Sequence, residues 1–210
     1  MKKIIPAILL TLAAYHEPSH ASILNTKINM DNGYEIYLST SNHTQGVQFG
    51  NGNNWHSTLS STISLSAGVD YYLHVRGYDE GGIAGFLGEF TLSGAGHVFS
   101  NNSNTLLTNT TNWKGNNTGW NSPYVSVSST GPNGAAPWGT TYTSAIPSNA
   151  KWIWVGDSNT NNVAYFSTKI SATSSVPTPP ALLLFGSGLL GLLGMRKKHT
   201  PATNATALPI

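Results

Sequence analysis

The sequence predicts an all-β protein: an antiparallel β-sandwich or jelly roll, flanked by an N-terminal signal peptide and a C-terminal single transmembrane helix. Three observations carry this. From Ile23 to Ala172 no segment of useful length places its apolar residues at helical spacing. Short alternating runs stand there instead, separated by clusters of Gly, Asn, Ser and Pro. The two ends are apolar segments of unequal length, each flanked by Lys or Arg. The predicted organisation is a signal peptide over 1–21, a β-sandwich over 22–172, a C-terminal segment over 173–198 with its span at 176–195, and a polar tail over 199–210.

At the N-terminus Lys2 and Lys3 precede an apolar run from Ile4 to Ala14. Eleven residues at 1.5 Å each do not cross a hydrocarbon layer of ~30 Å. Charged start, short apolar stretch and the small-x-small triplet Ser19-His20-Ala21 read as a secretory signal cleaved between Ala21 and Ser22. Export without a single cysteine fits a bacterial envelope.

About eight strands are predicted in the middle: 27–30, 34–38, 62–66, 70–78, 86–92, 124–128, 151–155 and 163–170. Tyr34, Ile36 and Leu38 share one face of the second. In the fourth, Tyr71, Leu73 and Val75 face one way and Tyr72, His74 and Arg76 the other. Phe86, Phe90 and Leu92 share a parity, with Leu87 and Glu89 opposite. Trp152 and Trp154 are read as same-face core residues. Asp31-Asn32-Gly33, Ala67-Gly68 and Asp79-Glu80-Gly81-Gly82 are turn signals between the runs. The Asn/Thr-rich stretch 100–118 reads as a long loop held by Trp113.

At the C-terminus Val176-Pro177-Thr178-Pro179-Pro180 opens a charge-free stretch that ends at Met195, about one membrane span long. Arg196, Lys197 and Lys198 follow and fix the cytoplasmic side. Pro177, Pro179, the Leu/Gly-rich run through Phe185-Gly186 and Gly188-Leu189-Leu190-Gly191-Leu192, and the basic cluster occur in the order of the PEP-CTERM sorting signal. The segment resembles that family. Thr178 stands where the family has Glu, and residues 199–210 run past the usual end. The resemblance implies an exosortase-type membrane transpeptidase as partner in a bacterium that makes exopolysaccharide. It also implies transient residence in the inner membrane, then release to the outer surface or outside.

A second resemblance rests on Met30-Asp31-Asn32-Gly33-Tyr34-Glu35-Ile36-Tyr37-Leu38, on Trp55, on Leu65, Gly68 and Tyr72-Leu73-His74-Val75, on residues 81–87 and on Lys151-Trp152-Ile153-Trp154. These motifs are similar to those of galactose-binding-like jelly rolls. Such domains bind sugars or act as structural modules, and often hold a structural calcium. Asp31 and Asn32 are the candidate ligands that the resemblance implies. Asp157-Ser158-Asn159-Thr160-Asn161 places oxygen side chains at alternate positions, as hard-cation loops do. It lacks the Gly and the distal Glu of such loops, and a strand-connecting turn is the simpler reading.

Charged residues are 9% of the chain, against ~25% in an average soluble protein. Within the sandwich, acids outnumber bases: Asp31, Glu35, Asp70, Asp79, Glu80, Glu89 and Asp157 against Lys27, Arg76, Lys114, Lys151 and Lys169. That excludes a basic footprint for nucleic acid. The absence of cysteine excludes thiolate metal sites. No HExxH, GxSxG or P-loop pattern occurs, and His43, His56, His74 and His97 are isolated and read as surface residues. Trp55, Trp113, Trp120, Trp138 and Tyr124 lie in Asn/Gly/Pro-rich stretches. A sugar's apolar face stacks on such rings while neighbouring amides bond its hydroxyls. The same rings also serve to plug the ends of a sandwich. The sequence therefore points to an exported, non-enzymatic surface or matrix protein associated with polysaccharide. The alternative is a carbohydrate-binding module that recognises a defined glycan through loop Trp residues; a hydrolase comes third.

Overall fold

The structure is a computed structural model that describes residues 21–173. The signal peptide up to His20, the sorting motif from Val176 to Pro179, the predicted span, Arg196 to Lys198 and the tail lie outside the described residues. Thirteen strands follow in chain order: β1 (Ser22–Asp31), β2 (Gly33–Ser39), β3 (Val47–Gly52), β4 (Leu59–Leu65), β5 (Tyr71–Tyr78), β6 (Gly85–Ser93), β7 (His97–Phe99), β8 (Thr105–Leu107), β9 (Lys114–Asn116), β10 (Val125–Ser126), β11 (Ser128–Pro132), β12 (Lys151–Trp154) and β13 (Val163–Ala172). Among the described residues there is no helix, so none long and apolar enough to cross a membrane.

The strands form two antiparallel sheets packed as a sandwich. Sheet A runs β11-β12-β6-β1-β4, with β8 also paired to β6. Sheet B runs β10-β9-β13-β5-β2-β3, with β7 also paired to β13. Alternation in the sequence sets the core. Tyr34, Ile36, Leu38, Leu73, Val75, Phe86, Phe90 and Leu92 all point between the sheets and are buried. Burying residues of this size contributes roughly 1.5–3 kcal/mol each in transfer terms.

Three expectations are corrected. The three turn signals, by contrast, do lie between strands, and each carries the chain from one sheet to the other. Asp31-Asn32-Gly33 takes it from β1 in sheet A to β2 in sheet B. A local reversal signal fixes a change of direction, not which sheet receives the next strand. Gly68, at φ +74°, supplies the left-handed conformation that the β4–β5 corner needs. The stretch 100–118 is not one loop: it contains β8 and β9, three residues each, which dock on β6 and β13. Trp152 and Trp154 are both buried but do not share a cluster. Trp154, the last residue of β12, packs on Phe166 in the central core, while Trp152 joins Leu87, Trp138, Ile146 and Ala150 in a second cluster. Finally, His74 and His97 are buried rather than surface residues.

The two ends of the domain meet one loop. The Ser22 hydroxyl lies 3.1 Å from His97 Nδ1, and His97 Nε2 lies 3.0 Å from the Val69 carbonyl. Thr173 donates from its backbone N–H to Gly96 O and from its hydroxyl to Ala95 O.

Candidate functional site

The outer face of sheet A is built by alternate residues of β1, β6 and β12. Asn29 lies opposite Leu87 and Ile153 opposite Phe86 in register. By antiparallel progression Trp152 therefore falls beside Leu87. Two loops roof this row. Trp138 stacks on Trp152, with centroids 4.1 Å apart and planes at 21°. Gly85 makes the room: a Cβ there would lie 2.8 Å from ring carbons of both indoles. Trp138 Nε1 donates to Asp31 Oδ2 at 2.8 Å. Beside this pair stand Trp55, His56 and Tyr142. The Trp55–His56 centroids are 3.8 Å apart, His56–Tyr142 4.5 Å and Trp55–Tyr142 5.5 Å. Tyr142 is 39% exposed, His56 is exposed and Trp55 half-buried.

One buried amide ties the two loops together. Asn29 Nδ2 donates to Trp55 O at 2.8 Å and to Tyr142 O at 3.4 Å, and Thr58 Oγ1 donates to Tyr142 O. Asn29 Oδ1 and Trp152 Nε1 are buried and have no partner among the described residues. An acceptor and a donor are thus left unmatched in this layer, each at a desolvation cost of ~1–3 kcal/mol unless a further molecule supplies the bond. An open groove of about 470 Å³ is lined by Lys27, Glu89, Asn133, Thr140, Ser144 and Ser148 among others, with Thr140 and Ser144 two residues either side of Tyr142 in the chain. Lys27 and Glu89 pair there at 2.8 Å, so the groove carries no unpaired charge from that pair.

The outer face of sheet B carries a second set of rings. Tyr37 lies opposite His74 in register, and Arg76 opposite both Glu35 and Tyr165. The segment between β9 and β10 brings Trp120 over them. Trp120 stacks on His74 at 5.0 Å and meets Tyr165 and Tyr37 edge-on at 4.7 and 5.5 Å. Tyr124 stacks on His74 at 6.3 Å. Glu35 Oε2 accepts from Tyr37 Oη and Arg76 Nη1, which holds the rim. His74 is 0% exposed. Burial lowers its pKa to about 4, although backbone carbonyls at Gln45 and Thr44 oppose the shift. The ring is therefore neutral at pH 7. With Nδ1 donating to Gln45 O, Nε2 is left as a buried acceptor without a partner. Tyr124 Oη is likewise buried and unpartnered, and burial pushes its pKa up to about 12.

The predicted site residues therefore divide. Trp55, Trp138 and Asp31 converge on sheet A, and Trp120 and Tyr124 on sheet B. Trp113 joins neither: it is 0% exposed, packed on Phe86 and Phe90 between the sheets, and offers no face to a solute. Asn29, His56, Tyr142, Tyr37, His74 and Tyr165 carry these faces and were not singled out as site residues by the sequence. The outward parity of His74 beside Tyr72 and Arg76 was the signal available for one of them. Tyr142 lies in a Thr/Ser-rich loop with no pattern to mark it.

The residues read as calcium ligands each have one side-chain oxygen engaged within the protein. Asn32 Oδ1 accepts from the Glu80 N–H, Asp157 Oδ1 accepts from the backbone and side chain of Asn159, and Asp31 Oδ2 is held by Trp138. Among the described residues no three acidic or histidine side chains are grouped to hold a metal. Asp31 has its pKa raised, first by burial; Trp138 donation opposes this, the nearby Asp79 adds to it and His56 opposes it. Ala21 is exposed and Ser22 buried as the first residue of β1.

The chain matches no protein-family model, none of the curated proteins and no solved structure.

Proposed function

We propose that this chain is an exported, non-enzymatic protein of the cell surface or extracellular matrix. An exosortase-type transpeptidase would sort it, and it would associate with exopolysaccharide. The observation that carries this reading is the order of three C-terminal elements: the proline motif at 177–180, the Leu/Gly-rich span and Arg196-Lys197-Lys198. Prolines hold the motif out of helix, which suits capture in a peptidase cleft. The span holds the substrate in the bilayer, and the basic cluster keeps the motif on the outer face. A plain anchor has no use for the first element. The test is mass spectrometry of the mature protein from its native host. A product that begins at Ser22 and ends near Pro177–Pro180 is expected. An intact chain that keeps 181–198 in the inner membrane refutes the sorting step.

The second reading, a carbohydrate-binding module of galactose-binding-like jelly-roll type, is favoured by Trp55, His56 and Tyr142. They form a part-exposed aromatic corner, and the loop that carries Tyr142 also lines a groove with the hydroxyls of Thr140, Ser144 and Ser148. A glycan array distinguishes the two: one defined epitope retained through Trp55 supports a module, and broad retention of polymers supports a matrix protein.

A further inference from the structure

We infer that the domain is bivalent: each outer face of the sandwich holds one strand of a neutral polysaccharide, and one molecule bridges two strands. This rests on the association with exopolysaccharide proposed above and adds what the protein does to that polymer.

Each face has the same two ingredients, built from unrelated parts of the chain. On sheet A the part-exposed rings are Trp55 and Tyr142, and the unmatched polar atoms in the layer around them are Asn29 Oδ1 and Trp152 Nε1. On sheet B the ring is Trp120, half-buried, and the unmatched atoms are His74 Nε2 and Tyr124 Oη. Asn29, Trp152 and His74 are each at least nine-tenths buried. On sheet A a buried acceptor lacks a donor and a buried donor lacks an acceptor, two strands apart in the same layer, so a ligand that serves both needs groups able to give and to accept. A hydroxyl does both. The ring beside it calls for an apolar patch on the same molecule. A pyranose offers both together.

Charge selects the class further. Glu89 is paired with Lys27 on one face and Glu35 with Arg76 on the other, so neither face presents a cluster of unpaired cations to attract an anionic polymer. The sheets of a sandwich lie ~10 Å apart, and the two platforms lie outside them, facing opposite ways. A strand on one face is screened from the other by the whole core. Two occupied faces therefore mean two strand segments joined.

The test uses mature protein recovered from the native host, mixed with a dextran, a galactomannan and the host's purified exopolysaccharide. The wild type should retard at least one polymer in affinity electrophoresis. It should also raise light scattering, with a maximum at an intermediate protein-to-polymer ratio. Trp55→Ala/Tyr142→Ala and, separately, Trp120→Ala should each still retard that polymer, while scattering falls to the polymer baseline. Retention on immobilised polymer should weaken on the order of 10²-fold as the second attachment is lost. If Trp120→Ala loses the native circular dichroism, Trp120→Leu replaces it, since it keeps His74 covered without a flat face for a sugar. Retardation by the wild type without scattering overturns bivalence and leaves the proposed association standing. So does a single-face variant that loses all retardation. A wild type that retards none of the three polymers overturns both.

Discussion

Lowering the pH from 7 to 4 should destabilise the domain through His74 in particular. The ring is fully buried and its pKa falls from 6.5 to about 4, so the folded state does not take up the proton that the unfolded chain accepts. A neutral, buried histidine contributes stability that is complete above pH 6.5, and that stability is lost progressively down to about 4. Two and a half units at 1.36 kcal/mol per unit give an upper value of about 3 kcal/mol. For a domain of this size that corresponds to a fall in Tm of about 10 °C. The assay is urea unfolding followed by tryptophan fluorescence at pH 7 and pH 4, on the wild type and on His74→Gln. Asp70 and Asp157, whose pKa values are lowered by their hydrogen-bond donors, also withdraw stability near the bottom of this range, and Asp31 acts in the opposite sense. All three are common to both proteins and cancel in the comparison. The wild type should lose more than the variant over this interval, by up to about 3 kcal/mol. An equal loss in the two proteins refutes the reasoning.

Three further outcomes are expected. Gly85→Ala places a Cβ 2.8 Å from Trp138 and Trp152, so urea unfolding should show a loss of ~1–3 kcal/mol, with a changed near-ultraviolet circular dichroism from the displaced indole pair. Trp113→Ala should cost ~3–5 kcal/mol by the same assay, while a glycan that the wild type retains is held with unchanged affinity, since the ring lies between the sheets. Asp31→Asn should raise Tm at pH 7, because a carboxylate with a raised pKa stabilises the fold less once ionised, and the amide oxygen still accepts from Trp138. The gain should vanish as the pH falls below 3.8, and a Tm that drops at pH 7 contradicts the assignment.

Strands with enough residues to alternate were legible. The eight residues from Tyr71 to Tyr78 displayed both faces of β5 in the sequence, and the structure buries Tyr71, Leu73 and Val75 accordingly. The strands β7, β8 and β9 were not legible, because three residues carry no period, and what makes them strands is a partner elsewhere in the chain. The same limit governs the faces. Trp55 and Trp138 each announced an aromatic in a loop, yet nothing local says that both loops fold onto sheet A, clamped by one asparagine from β1. His74 was placed on the correct side of its strand. Its burial depends on Trp120 and Gln45, which arrive from other loops.

The two ends of the domain also set when it can fold. β1, the first strand in the chain, is an interior strand of sheet A, and β13, the last, is an interior strand of sheet B. Sheet B cannot close until Val163–Ala172 has been delivered, because β5, β7 and β9 all pair with it. Ser22 meanwhile waits for β4 and β6 before its side chain is enclosed against His97. Until then the bond between Ala21 and Ser22 lies in unfolded chain, and under the export proposed above it is open to a peptidase. Completion of the sandwich then encloses Ser22, so the proposed cleavage has to come before closure.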